Sequence, residues 1–419
     1  MKTIEIVLRH KILNKMKKIY LSVALLACTL MNAQSSWFSW DNVSYKGAFP
    51  VTDNSTGFGA TQNWAAGWTN WDCENTVYPA ITQTISSDIT SNTTWHENDV
   101  IFLSGFTHVT NGAELTIEPG CHIYGAAFDP NTHTTGVLII SKGSKIHAVG
   151  TVAKPIVFTS PKAPGNRAPF DWGGVMLCGK APCNKTSVTA NPGETDQGYN
   201  VMKLEGFFTD DVKRHFGGID VNDNSGEMKY VRIEFAGVSL NPAVDNSEIN
   251  SLTMGGVGRG TQIDYVQCSY GGDDSFEWFG GTVDVKHIIS YRTTDDDFDT
   301  DMGYSGHIQY GLAIKDPEIA DMLQGTSTGE SNGLECDNND ISGYNTVTIP
   351  SNASSAVNWA RLHTKAVFSN LTMVGPYGGN ASAYGVVNTA TATLSHHQNG
   401  AHLRRNMAQS VLNSVFVGY

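Results

Sequence analysis

Between Asp264 and Asp301 the sequence holds ten acids (Asp264, Asp273, Asp274, Glu277, Asp284, Asp295, Asp296, Asp297, Asp299 and Asp301) against two bases, Lys286 and Arg292. If 295–301 is extended, side-chain alternation puts Asp295, Asp297, Asp299 and Asp301 on one face, and Asp296, Phe298, Thr300 and Met302 on the other. Like charges at that spacing repel, and a divalent cation is the simplest counter-charge. Hard carboxylate oxygens suit Ca2+, and Asp297-Phe-Asp299-Thr-Asp301 has the D-x-D-x-D spacing that wraps such an ion in calcium loops. It is not an EF-hand, because Gly303 comes one residue late and position twelve is Ile308 rather than Glu. The expected cofactor is therefore Ca2+, held by Asp295, Asp297, Asp299 and Asp301. The plainer alternative is a solvated, salt-screened acidic surface, or Asp side chains capping turns.

To bring these acids together the chain must stack them. No long segment carries a 3.6-residue apolar period, whereas short runs rich in Val, Ile and aromatics recur between glycines and turn residues. Glu114-Leu-Thr-Ile117, Gly136-Val-Leu-Ile-Ile140, Tyr230-Val-Arg-Ile-Glu-Phe235 and Val283-Asp-Val-Lys-His-Ile-Ile289 are examples. Ser269-Tyr270-Gly-Gly-Asp-Asp274 recurs as Ser290-Tyr291-Arg-Thr-Thr-Asp-Asp296 after 21–22 residues, and Leu115-Thr-Ile117 precedes Leu138-Ile-Ile140 by 23. A strand-bearing repeat of that length fits one coil of a parallel β-helix better than an antiparallel sandwich. One coil of stacking sets Asp273 and Asp274 above Asp295 and Asp296.

The 419 residues carry 27 Lys+Arg against 40 Asp+Glu, a net charge of −13, with 16% charged residues and 43 glycines. So low a charged fraction, against ~25% in an average soluble protein, argues against solvated helices and coiled coils. With no basic run beyond the N-terminus, nucleic acid is excluded as a partner. Met16-Lys17-Lys18, the apolar stretch to Met31 and the small Ala33 read as a signal peptide over 1–33; Leu25-Leu26-Ala27-Cys28 offers lipidation of Cys28 as the alternative. The apolar stretch is shorter than the ~20 residues that span a bilayer, so no transmembrane segment is expected. Cleavage leaves 21 basic against 39 acidic residues, a net charge of −18. The six remaining cysteines predict disulfides in an oxidising compartment, with Cys178 and Cys183 the nearest pair.

The phrases EPGCHIYG (118–125), AVGTVAKPIVFTS (148–160), LTMGGVGRGTQIDYVQCSYGGDDSFEWFGG (252–281) and SYRTTDDDFDTDMGYSGHIQYG (290–311) resemble a group of exported bacterial proteins with a right-handed, pectin-lyase-like β-helix and no assigned reaction. The resemblance spans roughly 110–419. It implies an all-β solenoid, and a location outside the cell or on the outer-membrane surface of a Gram-negative bacterium. Chains of this kind commonly continue for further coils, some into a sorting domain, and Val411-Leu-Asn-Ser-Val-Phe-Val417 reads as an internal strand; the sequence is therefore expected to be truncated at its C-terminus.

An enzymatic reading comes from a second resemblance. Polygalacturonase-type β-helix hydrolases place three Asp, a Gly-His and an Arg-x-Lys on successive coils, and Gly272-Asp273-Asp274, Gly306-His307 and Ile314-Lys315 occur here in that order. Asp273 and Asp274 would then act as acid and base, with Lys315 holding a sugar carboxylate. The pattern departs at Ala313 in place of Arg, at Ile308 after His307, and in lacking Asn-Thr-Asp before Asp273. A calcium-dependent lyase with Arg292 or Lys286 as base is the other catalytic form. The leading expectation is a non-enzymatic protein that binds glycan or cell-surface material through a calcium-stiffened acidic face; a polyuronate hydrolase or lyase is the rival.

Residues 34–110 read as a cap over the first coil of a helix running 111–419, with Trp37, Trp40, Trp64, Trp68, Trp71 and Trp95 either anchoring that cap or forming a sugar-stacking surface. Segments 178–215 and 316–363 read as insertions, where specificity usually lies. Gly255-Gly256-Val-Gly258-Arg-Gly260 reads as a tight turn, and His396, His397 and His402 as surface histidines.

Overall fold

The computed structural model describes residues 35–50, 63–185, 201–207, 209–241, 247–321, 331–338, 363–377 and 397–419. The expected signal peptide, Cys28, His396, part of the expected insertion 178–215 and most of 316–363 lie outside them. The described chain is a right-handed parallel β-helix, a three-faced prism in which almost every strand pairs in parallel with the equivalent strand one coil away. Its only helical element among the described residues is a single turn, Val212–Arg214. Among the described residues no helix is long and apolar enough to cross a membrane.

Each central coil begins with a strand bent in its middle, such as Gln262–Ser269, Asp284–Tyr291 and His307–Ile314; the halves before and after the bend form the first and second faces. The third face is a ladder of short strands that includes Leu252–Gly255, Phe276–Phe279, Phe298–Asp301 and Leu334–Cys336. Inward residues repeat coil by coil: Met228, Ile263, Val285, Ile308 and Phe368 on the first face; Leu138, Val175, Leu252, Phe276, Phe298 and Leu334 on the third. All are fully buried. Each coil thus hides its apolar face only against its neighbours, as the period required.

The bends need a left-handed residue, a strained choice for bulky side chains. They fall on Tyr230 (φ 52°), Tyr265 (56°), His287 (50°), Tyr310 (66°) and Asn370 (58°). Stacking offsets that strain, for the rings of Tyr230, Tyr265, His287 and Tyr310 follow one another at 4.6, 4.3 and 4.9 Å, within 25° of parallel.

Three expectations are corrected here. The solenoid begins before residue 111, since Gln83–Ile85, Thr93–Trp95, Val100–Leu103 and Phe106–Val109 already pair into its faces. Residues 35–50 and 63–80 are no end cap: they form a strap along the outside of the first and second faces, where Trp64 and Trp68 cover the aromatic stack and Tyr78 reaches Glu234 at 2.8 Å. Trp95 is a core residue instead. Within 316–363, Leu334–Cys336 is a rung of the third face rather than part of a loop.

The disulfides are also corrected. Among the described residues no disulfide joins Cys73, Cys121, Cys178, Cys183, Cys268 or Cys336; all six are buried, filling apolar space as small hydrophobes. Burial pushes the thiols of Cys121, Cys178 and Cys183 up to about 12, and those of Cys73, Cys268 and Cys336 well above their ordinary value. None of these six should react with a thiol reagent in native buffer and all should react in denaturant, with a melting temperature indifferent to reductant. A reductant-sensitive melting curve would restore the disulfide reading.

Candidate metal centre

The corner where the second face turns into the third is built from equivalent residues of four coils. Since Leu252, Phe276, Phe298 and Leu334 are in register, the residues two places earlier, Asn250, Asp274, Asp296 and Asn332, stack as well. They hold the corner by one repeated bond: Asp274 N donates to Asn250 Oδ1 (3.2 Å), Asp296 N to Asp274 Oδ1 (2.9 Å), and Asn332 N to Asp296 Oδ1. One step into the strands, the outward positions Glu277, Asp299 and Glu335 stack in the same way, about 4.8 Å apart as strand spacing dictates. Two parallel columns of side-chain oxygens result.

These columns, with Asp273 and Asp295 beside the first, form two carboxylate triads, Asp273–Asp274–Asp295 and Asp274–Glu277–Asp299, each with one oxygen per residue lying within 4.8 Å of the others. Oxygens around a calcium ion sit roughly 2.3–2.6 Å from it, and so up to about 5 Å from each other across it. Both triads meet that limit, and Asp274 belongs to both. Asp299 Oδ1 is buried with no hydrogen-bond partner among the described residues. An orphaned carboxylate oxygen at that position suits a cation.

The charges have little local compensation. Burial, followed by neighbouring acids, raises Asp273 (Asp295, then Glu205), Asp274 (Asp273, then Asp296) and Glu277 (Glu205, then Asp274) well above the carboxylate range; no cation is among the strongest influences on any of the three. Glu205, brought back from the first insertion, shares a hydrogen bond with Glu277, and its carboxyl is pushed up to about 7, mainly by burial. Asn250 donates to both, at 3.2 Å to Glu205. Asp299 is likewise raised by burial and then by Asp296, against the pull of Arg404.

The sequence-derived ligands separate. Asp295 and Asp299 join the triads, whereas Asp297 and Asp301 do not. The strand begins only at Phe298, so the preceding turn breaks the alternation and rotates Asp297 inward. There its carboxylate accepts from Ser290 Oγ (2.5 Å) and faces the buried ammonium of Lys315 at 3.7 Å. Asp301 accepts from the backbone N–H of Met302 at 2.6 Å. Glu277, Glu335 and Glu205 belong to the corner without having been singled out as ligands; the signal for the first two was the register of 273–279 with 295–301 and of Asn250-Ser-Leu-Thr with Asn332-Gly-Leu-Glu.

The catalytic candidates disperse as well. Asp273 and Asp274 are at the corner. His307 lies on the first face, its Nδ1 2.7 Å from Asp284 and its ring stacked on Phe38. Lys315 is inside the solenoid with Asp297, its ammonium also donating to the Asp295 carbonyl. Arg292 donates to Tyr270 (2.7 Å) and pairs with Asp316 (3.3 Å), while Lys286 pairs with Asp41 of the strap (3.0 Å). The hydrolase-like order in the sequence therefore does not converge in space. Of the expected surface histidines, His397 is buried, 3.1 Å from the Asp316 carbonyl, and His402 pairs with Glu335 at 3.3 Å. The glycine-rich 255–260 is a turn between coils, with Gly258 and Gly260 packed on the Asp223 backbone.

A family model described as a pectate-lyase like beta helix domain matches residues 87–387. A comparison with curated proteins found no match. Neither did a comparison with solved structures.

Proposed function

This chain belongs to the pectate-lyase-like β-helix family, and we propose that it is an exported, non-enzymatic binding protein. A divalent cation, with Ca2+ the best chemical match, stiffens its acidic corner, and glycan or other cell-surface material is the ligand. The observation that carries this reading is the pair of carboxylate triads sharing Asp274, built on a hydrogen-bonded column that fixes their spacing. Asp273, Asp274, Glu277, Asp295 and Asp299 would hold the ion. It would supply charge neutralisation there, and open coordination positions for the hydroxyl or carboxylate oxygens of a sugar. Glu205 and Asn250 position Glu277 from outside.

Catalysis is disfavoured because the sequence's base candidates, His307, Lys315, Arg292 and Lys286, are engaged elsewhere. The test has two parts. Titration calorimetry with calcium should show saturable binding that weakens at least about tenfold in Asp274→Asn. Incubation with polyuronates and neutral glycans, with and without EDTA, should yield bound material but no new reducing ends and no absorbance from an unsaturated uronate. Turnover abolished by EDTA would replace binding with a lyase activity; turnover indifferent to EDTA would favour a hydrolase.

A further inference from the structure

We propose a second ligand site, specific for a neutral saccharide, in the cleft where the strap crosses the first face. This cleft has a volume of about 460 Å³ and lies between Trp40 and Asn42 of the strap and His307, Ser369 and Asn413 of the solenoid. That is within the roughly 300–1,000 Å³ of small-molecule sites. It is on a different face from the acidic corner and rests on none of its residues.

Three features define the ligand. First, Trp40 leaves 38% of its surface exposed although its ring sits edge-on to Phe38 (5.1 Å) and to His307 (5.4 Å), so the indole is held in place and still presented to solvent. Second, the cleft is electrically closed. Asp41 pairs with Lys286 at 3.0 Å, and the fully buried Asp284 accepts from Ser35 N (2.6 Å) and His307 N (3.0 Å) besides contacting His307 Nδ1. A cationic or anionic ligand finds no uncommitted counter-charge there. Third, the exposed amides of Asn42 and Asn413 are uncharged hydrogen-bonding groups, and the ring of His307 lies beside them. A sugar ring combines an apolar face for the indole with a rim of hydroxyls for amides and an imidazole. Asp284 fixes the His307 ring as a carboxylate fixes other working histidines, which gives that residue a part in positioning a ligand.

The test is fluorescence and calorimetric titration of the whole protein in EDTA with cellohexaose, xylohexaose and mannohexaose. Saturable binding of at least one is expected, weakened about tenfold or more by Trp40→Ala, and severalfold by the exposed, fold-neutral Asn42→Ala, with Trp40→Phe between wild type and Trp40→Ala. No saturable binding of any of the three below roughly 10 mM overturns the proposal. So does binding unchanged by both Trp40→Ala and Asn42→Ala, which would put the sugar elsewhere. Loss of binding in Asp274→Asn with Trp40→Ala unaffected would assign the saccharide to the acidic corner.

Discussion

In EDTA the protein is expected to lose stability steadily as the pH rises from about 4 to about 7, and in millimolar calcium to keep it. The corner carboxyls hold their protons to a higher pH when folded than when unfolded, where Asp and Glu titrate near ~4. Folding therefore takes up protons. The stability this gives is complete below the unfolded pKa and is lost as the pH climbs through the folded values, about 6 for Asp296 and about 7 for Glu205. A cation bound only by the folded state reverses the loss, by about 2.7 kcal/mol when present at one hundred times its Kd. Asp274→Asn separates the two effects. It keeps the Oδ1 that accepts from Asp296 N, so in EDTA at pH 8 it should match or exceed wild-type stability, while the calcium-induced rise in melting temperature should nearly vanish. A pH-independent melting temperature in EDTA, or a full calcium response in Asp274→Asn, would show that these acids serve the turns alone.

Lys315→Met should cost about 3–5 kcal/mol in urea denaturation at pH 8, the usual consequence of leaving a buried charge without its partner. Both side chains of the Lys315–Asp297 pair are fully buried, and burial pushes Asp297 up to about 6 even against the pull of Lys315. At pH 8 the deserted carboxylate must ionise or hold its proton at a cost. Adding Asp297→Asn to Lys315→Met should recover much of the loss, because Asn retains an acceptor for Ser290 and removes the charge. A loss below about 1 kcal/mol in the single variant would mean that water reaches the pair.

The solenoid was readable because parallel coils repeat at near-constant length: the Asp273-Asp274 and Asp295-Asp296 motifs are 22 residues apart, as are Phe276 and Phe298, which pair directly. Their stacking followed from arithmetic. The inward turn of Asp297 did not, because a period-two reading assumes a strand, and the chain there is a turn until Phe298. Glu335 was hidden by a longer spacing, 36 residues from Asp299 rather than 22, although its partner sequence Asn332-Gly-Leu-Glu carries the same pattern. The cysteines misled for another reason: pairing was inferred from the compartment, whereas each thiol fills buried apolar space, Cys121, Cys268 and Cys336 inside the coils and Cys73, Cys178 and Cys183 in clusters packed against their outside. A strap is invisible to periodicity because it has none.

That strap sets an order of events for a growing chain. Gly47 donates its N–H to the carbonyl of Asn413, and Ala48 to Thr372 Oγ1, while Tyr78 and Pro79 bind at Glu234 and Tyr124. Coils can close one after another as they are synthesised, each on the one before. Residues 47 and 48 cannot, because their partners are made more than three hundred residues later. Among the first residues to be made, they are among the last to be satisfied. At translation rates of roughly 5–20 residues per second, residues 47 and 48 wait tens of seconds for their partners, so this end of the strap settles last. The interval when a holding chaperone would matter most is thus written into the connectivity, and shortening it by circular permutation at the strap should speed the final step of folding without touching a single coil.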